Sequence, residues 1–508
     1  MTTPKRRPRR AVPAASSKIA AFSDMTRMLP GRLLSLPALV LLAAGCGGHP
    51  AGGRDWPLPN RDLGSSRAQP GSGIDRGNVA RLRPLWRFRF RITPRESGVF
   101  TATPIVGGGT VYLQDMESNV YALALASGHL EWRHRFGAGN PGPNGLAIDA
   151  GHIYGATDST AFALAAGSGR LVWQRRLLGP TESFVDTAPQ VAHGLVYLST
   201  AGYTPGTRGA LYALDAKSGA LRWRFDTIEG PWRYPQEAGG GGAWYPPSVD
   251  ERGRVYWGTA NPTPWGGTPR RPNGGSYPGP VPYTDSLLAL DGGSGRLLWH
   301  DQVTPHDIRD HDFQLPPLLA SGLVIGAGKS GVVIAWDPRS HRRVWQTPVG
   351  VHRNDSGPLP RHRVSVCPGL LGGVETPMAS SGGRVFVPLV ELCSAGSATG
   401  FAPLASMNPA TGHGELVALG VRDGRTLWTR RLPQPDFGCA TVADGVVFTS
   451  TFDGTLYGLD VRDGAILWTS RLPAGSNACP SLGGGLLLVG AGVPQPGGVL
   501  ELVAYGAR

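Results

Sequence analysis

The feature that most constrains the fold of this chain is an internal repeat built around tryptophan. Seven tryptophans each stand ten residues after a small residue, which is alanine in six units and glycine in the seventh. In six units a glycine lies four residues before the tryptophan, and His341 holds that position in the remaining one. The seven are Trp132, Trp173, Trp223, Trp299, Trp345, Trp428 and Trp468. Repeats of about 40 to 50 residues with short strands and glycine turns are typical of a β-propeller.

Each unit reads as a set of antiparallel strands. Residues 189–225 contain a β-branched strand, a turn, the strand Tyr-Ala-Leu-Asp, a Ser-Gly turn and a strand that ends near Trp223. Alternating apolar residues between turns favour strands over helices. An indole buries a large area, and the small residue ten positions earlier leaves room for it. We therefore predict that the tryptophans pack between neighbouring sheets.

Two incomplete units stand at the ends of the repeat region. Trp86 has no Tyr-Ala-Leu-Asp strand before it, whereas that strand recurs around Ala504 with no tryptophan after it. The sequence thus predicts an all-β, eight-bladed β-propeller over residues 76–508, closed by a blade that the N- and C-terminal segments share. The spacing between tryptophans rises to 76 residues before Trp299 and 83 before Trp428. These long insertions are candidate functional loops.

The formal net charge of +13 is concentrated at the N-terminus. Residues 1–45 hold eight Lys/Arg and one acidic residue, so the remaining 41 basic and 35 acidic residues leave +6. This ordinary charge gives no reason to expect a nucleic acid partner. The basic start and the apolar stretch Leu33–Ala44 predict a signal peptide over residues 1–45 that is too short for a stable membrane span.

The residues Leu42 to Cys46 resemble a bacterial lipobox, in which the cysteine carries the lipid and becomes the mature N-terminus. The alternative is a plain secretory signal with an incidental cysteine. We predict lipidation at Cys46 and a flexible tether over residues 46–75, which are rich in Gly, Pro, Arg and Ser. The protein is then exported and lies on the outer face of the cytoplasmic membrane or elsewhere in the cell envelope, anchored to a membrane by its lipid.

Four cysteines follow Cys46, an even number in an exported chain. Cys439 and Cys479 occupy equivalent first-strand positions in adjacent units, and Cys367 and Cys393 flank one strand region. We predict the disulfides Cys367–Cys393 and Cys439–Cys479, although two other connectivities are open.

The repeat around Tyr212 to Trp223 resembles that of the pyrroloquinoline quinone (PQQ) propellers, and the likeness extends over residues 76–508. One branch of that family comprises quinoprotein alcohol and methanol dehydrogenases, which bind PQQ and a metal on the propeller axis. The other branch is non-catalytic and includes the lipoprotein of the outer-membrane barrel assembly machinery. The repeats alone do not distinguish the two.

The first insertion resembles the dehydrogenase branch. By this resemblance Trp244 forms the floor under PQQ and Asn261 binds the metal. An indole face suits a flat quinone, and an amide carbonyl suits a hard cation. The structural alternatives are packing under a loop for Trp244 and a turn before Pro262 for Asn261.

The segment from Thr304 to Asp312 resembles the dehydrogenase motif whose last aspartate accepts the alcohol proton, and Asp310 takes that position. Asp312 matches an extra carboxylate of lanthanide-using relatives, so Asp310 and Asp312 are both candidate metal ligands. Lys329 falls where the family places a cation against the quinone oxygens. The alternatives are loop caps paired with arginines for the two acids and a solvent-facing turn for Lys329.

Two departures weigh against catalysis, and a further segment also differs from the family. Thr204 stands where the family has a metal-binding glutamate, and no adjacent-cysteine pair is present to cap the quinone. Glu375 and Thr376 replace the usual asparagine and tryptophan of a further segment. Asp312 is the candidate substitute for the missing glutamate, because a carboxylate two residues from the base can reach the same ion.

Two functions follow from the resemblance. The first is a quinoprotein that binds PQQ with calcium or a lanthanide, oxidises a small-molecule alcohol and passes electrons to an external acceptor. The second is a non-catalytic scaffold propeller of the cell envelope that binds a protein partner. A propeller that senses or binds polysaccharide is a third hypothesis.

Overall fold

The computed structural model describes residues 54–92, 100–140, 142–202, 206–228, 238–274, 281–404 and 408–507. Within these ranges the protein is almost entirely β-structure, with short 3-10 helices at Val79–Arg81 and Pro409–Thr411. No helix among them is long and apolar enough to cross a membrane. The fold class predicted from the repeat, all-β, is therefore correct.

The described residues form eight antiparallel four-stranded sheets, each made of a unit that the repeat predicts. Sheet 1 contains Ile105–Gly107, Thr110–Gln114, Val120–Ala124 and Leu130–His134. Sheet 2 contains Ala147–Asp149, His152–Ala156, Thr160–Ala165 and Leu171–Arg176. Sheet 3 contains Gln190–Ala192, Leu195–Ser199, Ala210–Asp215 and Leu221–Asp226. Sheet 4 contains Ser248–Val249, Arg254–Gly258, Ser286–Asp291 and Leu297–Gln302.

The second half of the chain repeats this arrangement. Sheet 5 contains Leu318–Ala320, Leu323–Gly326, Val332–Asp337 and Arg342–Pro348. Sheet 6 contains Ala379–Ser381, Arg384–Glu391, His413–Gly420 and Thr426–Leu432. Sheet 7 contains Thr441–Val442, Val446–Ser450, Thr455–Asp460 and Ile466–Arg471. Sheet 8 contains Ser481–Gly483, Leu486–Ala491, Glu501–Gly506 and the N-terminal strand Arg83–Arg89, which pairs with Glu501–Gly506.

The insertions form two smaller sheets beside these eight. Gly239–Gly240 pairs with Pro262–Thr263, and Val364–Val366 pairs with Ser394–Ser397, which also pairs with Gly400–Phe401. Both predicted disulfides, Cys367–Cys393 and Cys439–Cys479, are present. The first holds the insertion of sheet 6, and the second joins the segments that lead into sheets 7 and 8.

The spacing of ten residues has a direct structural cause. In every sheet the small residue of the third strand lies directly opposite the tryptophan of the fourth, as Ala122 lies opposite Trp132 and Ala504 opposite Trp86. The other pairs are Ala163–Trp173, Ala213–Trp223, Ala289–Trp299, Ala335–Trp345, Ala418–Trp428 and Gly458–Trp468. Because the side chain of this residue is small, the indole has room on the opposite strand.

Each tryptophan also contacts the following sheet. The indole of Trp86 lies against Gly128 in the last turn of sheet 1, and its Nε1 donates to the carbonyl oxygen of Leu125 at 2.9 Å. A Cβ on Gly128 would collide with the indole ring, and φ of this glycine is +70°, so both the contact and the turn require glycine. Equivalent bonds run from Trp132, Trp173, Trp223, Trp345 and Trp428 to Ala166, Ala216, Gly292, Val421 and Val461.

The two remaining contacts complete the series. Trp299 stacks on the imidazole of His341, with ring centroids 5.2 Å apart, which explains why this one unit lacks the glycine. Trp468 donates to the carbonyl oxygen of Leu82, directly before the N-terminal strand of sheet 8. Each sheet therefore contacts the next in sequence, and sheet 8 contacts sheet 1 through Trp86.

The predicted flexible tether is wrong for residues 54–75, while residues 46–53 lie outside the described ranges. This segment crosses the first strands of the sheets, where the amide groups of Val249, Leu319 and Ser380 donate to its carbonyl oxygens at 2.8 to 2.9 Å. Arg67 is fully buried and donates to the carbonyl oxygens of Ala440 and Pro480. The Gly- and Pro-rich composition of this segment favours a tether. The first strands of the sheets, however, present backbone amide groups with which an extended segment can form hydrogen bonds.

Candidate active site

Four of the predicted site residues lie on connections within and between sheets 4 and 5. Asn261 follows the second strand of sheet 4 and Lys329 follows the second strand of sheet 5, so both lie at the same end of their sheets. Asp310 and Asp312 belong to the connection between these sheets. That connection is held in place by the bridge between Thr259 and Phe313 and by the amide of Lys329, which donates to the carbonyl oxygen of Asp312 at 3.0 Å.

These four side chains form one hydrogen-bonded network. The ammonium of Lys329 lies 3.0 Å from Oδ2 of Asp310 and 2.8 Å from Oδ2 of Asp312. Asn261 donates from its side-chain amide to Oδ1 of Asp310 and from its backbone amide to Oδ1 of Asp312, both at 2.8 Å. Asp310 has a φ of +66°, a conformation that is uncommon outside glycine and often found at functional sites.

Burial and charge act against each other in this network. Burial disfavours the charged form of Lys329, but Asp310 and Asp312 outweigh it and hold the pKa of Lys329 well above its ordinary value. Burial raises the pKa of Asp312, which Lys329 partly offsets. Two further buried carboxyl groups, Asp285 and Asp307, lie close enough to affect one another electrostatically. The network itself therefore holds one ammonium between two carboxylates, which leaves one net negative charge when all three groups are ionised.

Trp244 and Lys329 line the same cavity of about 260 Å³. Its other lining residues are Thr101, Gly142, Pro143, Tyr245, Gln314, Glu375, Thr376, Phe437 and Asn477. The structure therefore brings all five predicted residues together: Trp244 and Lys329 line the cavity, and the Lys329 ammonium connects it to Asn261, Asp310 and Asp312. Their roles stay predictions. Thr204 lies outside the described residues.

One position of the repeat supplies cavity residues that were not predicted from the sequence, namely Thr101, Gln314, Phe437 and Asn477. Thr101, Trp244, Gln314, Glu375 and Asn477 each stand four residues before the first strand of their sheet. Phe437 has the same position ahead of sheet 7. Aligning the units by their first strands would have picked out these positions as one ring of side chains.

Glu375 contributes a carboxyl group to the lining of the cavity. Its Oε2 lies 3.4 Å from Nε2 of Gln314, and its buried Oε1 has no hydrogen-bond partner among the described residues. Tyr245 donates to the backbone oxygen of Glu375 at 3.2 Å. Burial raises the pKa of Glu375 to about 8, although Lys329 opposes the rise. At neutral pH this raised pKa favours the neutral form of the Glu375 carboxyl group.

This pKa predicts how stability depends on pH. The folded protein holds the Glu375 proton up to about pH 8, whereas the unfolded chain releases it near its ordinary value of 4.5. Between these values the folded state binds more protons, so stability falls as the pH rises. Glu375→Gln should reduce this decrease in the free energy of unfolding by up to ~1.4 kcal/mol per pH unit.

Urea denaturation at a series of pH values measures the effect. Glu251→Gln, an exposed glutamate, is the control and should keep the wild-type slope. Equal slopes in the wild type and Glu375→Gln would mean that Glu375 is ionised in the folded protein.

The described residues contain no group of three or more His, Cys, Asp or Glu side chains arranged to hold a metal ion. Asn261 is not one of those residue types, and it joins Asp310 and Asp312 as a third oxygen-bearing side chain. The donor set is thus two carboxylates and an amide, which suits a hard cation such as calcium or a lanthanide.

Comparison with known proteins agrees with this architecture. A family model described as the β-propeller domain of glucose, ethanol and alcohol dehydrogenases, with PQQ repeats, matches residues 56–173 and 165–333. A second, described as outer membrane protein assembly factor BamB, matches residues 363–504. The first matches more than half of the chain. The protein therefore belongs to the PQQ family of β-propellers.

Its relatives by sequence are quinohemoprotein alcohol dehydrogenases. The enzyme ADH IIB of Pseudomonas putida is 30% identical over 292 residues, which are 51% of this chain and 41% of the relative. The quinohemoprotein alcohol dehydrogenase of Comamonas testosteroni is 30% identical over 319 residues, which are 56% of this chain and 44% of the relative. The matches span less than half the length of either relative.

Solved structures share the fold. The Comamonas testosteroni enzyme superposes with a TM-score of 0.76 at 23% identity, covering 89% of this chain and 80% of the other. A europium-containing methanol dehydrogenase superposes with a TM-score of 0.74 at 20% identity, covering 90% of this chain and 98% of the other. BamB of Moraxella catarrhalis superposes with a TM-score of 0.54 at 15% identity, covering 84% of this chain and 97% of the other. At these identities the likeness concerns the fold alone.

Proposed function

We propose that this protein is an exported quinoprotein dehydrogenase that binds PQQ and a metal ion in the cavity beside Trp244 and oxidises an alcohol. The observation that carries the proposal is that the five predicted side chains lie close together. Trp244 and Lys329 line one cavity, and the ammonium of Lys329 contacts two carboxylates that also accept hydrogen bonds from Asn261. A scaffold has no physical reason to gather these five side chains.

The proposal includes the architecture around the site. The eight sheets are the blades of one propeller. Two features would close it into a ring: sheet 8 contacts sheet 1, and Arg83–Arg89 pairs with Glu501–Gly506. Residues 1–45 are the signal peptide, and a lipid on Cys46 holds the mature protein at a membrane of the cell envelope. The fold allows one domain to carry the whole site.

The residues present suit the proposed cofactor. Trp244 lines the cavity with a flat apolar side chain, and Lys329 would provide a positive charge for an anionic ligand. Oε1 of Glu375 and Oδ1 of Asn477 are buried at the cavity without a partner among the described residues. Such atoms favour a polar ligand, because an unsatisfied buried polar atom costs about 1 to 3 kcal/mol.

The residues divide the chemistry among them. PQQ, when bound, would supply the acceptor for the two electrons and the hydrogen that leave the alcohol carbon. Asp310 would take the hydroxyl proton onto a carboxylate oxygen, which leaves a carbonyl product. Asn261, Asp310 and Asp312 would hold the metal, and the hydrogen bonds of Asn261 keep the two carboxylates in position.

A second candidate function is that of a non-catalytic binding propeller in the cell envelope. The match of residues 363–504 to the assembly factor model favours it, and so does Glu375, which places a carboxyl group where the dehydrogenases have an amide. The two functions differ in whether the cavity takes PQQ.

A binding titration tests the proposal. Purified protein should bind PQQ in the presence of calcium or a lanthanide, and Trp244→Leu should weaken binding at least ~10-fold, the scale of one lost aromatic contact. Trp265→Leu, which alters an insertion tryptophan outside the cavity lining, is the control. Absence of PQQ binding with either ion present would reject the enzyme and favour the scaffold.

A further inference from the structure

We propose that the N-terminal belt, residues 54–67, closes one end of the cavity that Trp244 and Lys329 line, so that a ligand enters this cavity from the other end only. The inference rests on the proposed function, because it takes the eight sheets as blades around one channel. It concerns access to the site rather than the chemistry within it.

The belt contacts the first strands of the sheets in chain order. Its carbonyl oxygens accept hydrogen bonds at 2.8 to 2.9 Å from backbone amides of sheets 1, 2, 4, 5, 6 and 7. The donor is in each case the second residue of the first strand: Val106, Ile148, Val249, Leu319, Ser380 and Val442. The acceptors follow the same order along the belt, from Trp56 and Pro57 to Ser66 and Arg67. A segment that meets six sheets in turn runs around the inside of the ring that they form.

The two other sheets are contacted by side chains of the belt. Leu58 belongs to the same apolar cluster as Val191 of sheet 3. The guanidinium of Arg67 donates to the carbonyl oxygen of Pro480 at 2.6 Å, directly before the first strand of sheet 8. All eight sheets therefore contact the belt.

Arg67 also connects opposite sides of the belt. All five N–H groups of its fully buried guanidinium donate hydrogen bonds. The acceptors are the carbonyl oxygens of Pro59, Ala440 and Pro480, Oδ1 of Asn60 and Oγ1 of Thr441. Pro59 and Asn60 lie between the contacts with sheets 2 and 4, whereas Ala440 and Pro480 directly precede sheets 7 and 8. The guanidinium thus spans the opening that the belt surrounds.

The cavity lies at a second level of the same strands. Five residues before each of the six belt donors stands a residue that lines the cavity: Thr101, Pro143, Trp244, Gln314, Glu375 and Phe437. Five residues span at most about 18 Å when extended. Asn261 and Lys329 follow second strands, which return to the level of the cavity because the first and second strands are antiparallel. The belt therefore lies at the end of the channel away from these two residues.

The belt also reaches the cavity directly. Pro59 and Asn60 line a space of about 30 Å³ together with four residues that line the cavity as well, namely Thr101, Pro143, Tyr245 and Asn477. A space of this volume admits about one or two water molecules. Nδ2 of Asn60 is buried there without a partner among the described residues, so this end of the cavity presents one hydrogen-bond donor. An organic ligand cannot pass through the space while the belt is in place.

Hydrogen exchange of the wild-type chain tests the belt. Exchange resolved to single amides would compare the six belt donors with Val191 and Leu482, which hold the same strand position in sheets 3 and 8 but donate to no belt residue that the structure describes. The six donors should exchange ~3- to 10-fold more slowly, the scale of one net hydrogen bond. Equal exchange at all eight amides would overturn the inference, because the belt would then be loosely held.

Obstruction of one end of the cavity tests the route of entry. A polymer-linked maleimide would be attached to Phe437→Cys, at the lining of the cavity, or to Glu251→Cys, in the exposed turn beyond the belt donor Val249. Stopped-flow fluorescence would measure the association of PQQ, with the same variant without polymer as the matched control. The polymer at position 437 should slow association at least ~10-fold, whereas the polymer at position 251 should leave it unchanged.

The outcomes separate this inference from the proposed function. Association that is unaffected by the polymer at position 437, or slowed by the polymer at position 251, would overturn the single route of entry but leave PQQ binding intact. If the wild type binds no PQQ, the proposed function fails, and hydrogen exchange at the six belt donors still decides whether the belt closes this end of the cavity.

Discussion

Asp310→Asn should lower the rate of alcohol oxidation by ~100-fold or more while PQQ still binds. An amide is close to a carboxylate in size but cannot accept the hydroxyl proton, and removal of a general base typically costs 10²- to 10⁴-fold. Asparagine also tolerates the positive φ of this position, so the loop should keep its conformation. Dye-linked steady-state kinetics measure the rate, and quenching of tryptophan fluorescence measures PQQ binding.

The interpretation depends on separating proton transfer from site assembly. Asp463→Asn, an exposed turn aspartate, controls for the general effect of an Asp-to-Asn change. Asp310→Asn brings an amide close to the Lys329 ammonium, so metal affinity would be measured beside the rate. Retention of more than about a tenth of the wild-type rate, with PQQ and metal bound, would show that Asp310 is not the base.

A chain that ends at residue 495 should fail to form a stable monomer. The lost strand Glu501–Gly506 lies between Leu486–Ala491 and Arg83–Arg89, so both neighbours become edges. Its residues 502–505 are fully buried, and burial of an apolar side chain contributes about 1.5 to 3 kcal/mol. Their sum is of the order of the whole stability of a domain. We expect aggregation or unfolding at room temperature.

Size-exclusion chromatography and thermal melting measure this outcome. A chain that ends at Gly506, which loses only the last two residues, is the control and should melt with the full-length protein. A monomeric 495-residue chain with an unchanged melting temperature would disprove the shared blade and, with it, the closed ring.

The elements of the fold could be predicted because they are encoded at short range. The pair Ala122 and Trp132, ten residues apart, is a single cross-strand contact, and its recurrence reveals every fourth strand. Contacts between units were harder to predict. The glycine four residues before a tryptophan contacts the indole of the preceding unit's tryptophan. In one unit His341 takes this position, and its imidazole stacks on Trp299 instead.

The tether shows where composition misleads. Residues 54–75 have the composition of a linker, yet Arg67 is buried and donates to backbone carbonyl oxygens more than 370 residues away in the chain. Whether such a segment is ordered depends on whether unpaired backbone groups lie within its reach. Those groups belong to the first strands of sheets that form elsewhere, so no local feature of the segment reports them.

The sequence alone therefore predicted the class of fold and the repeat boundaries, favoured the two observed disulfides over two other connectivities, and named five candidate site residues. Only the tertiary structure decided that these five lie around one cavity, that Glu375 and Asn477 line it, and that Lys329 lies between Asp310 and Asp312. The reason is physical. Periodicity reports contacts within a unit, whereas the position of an ammonium between two carboxylates depends on how two neighbouring sheets pack and on the charge they bury together.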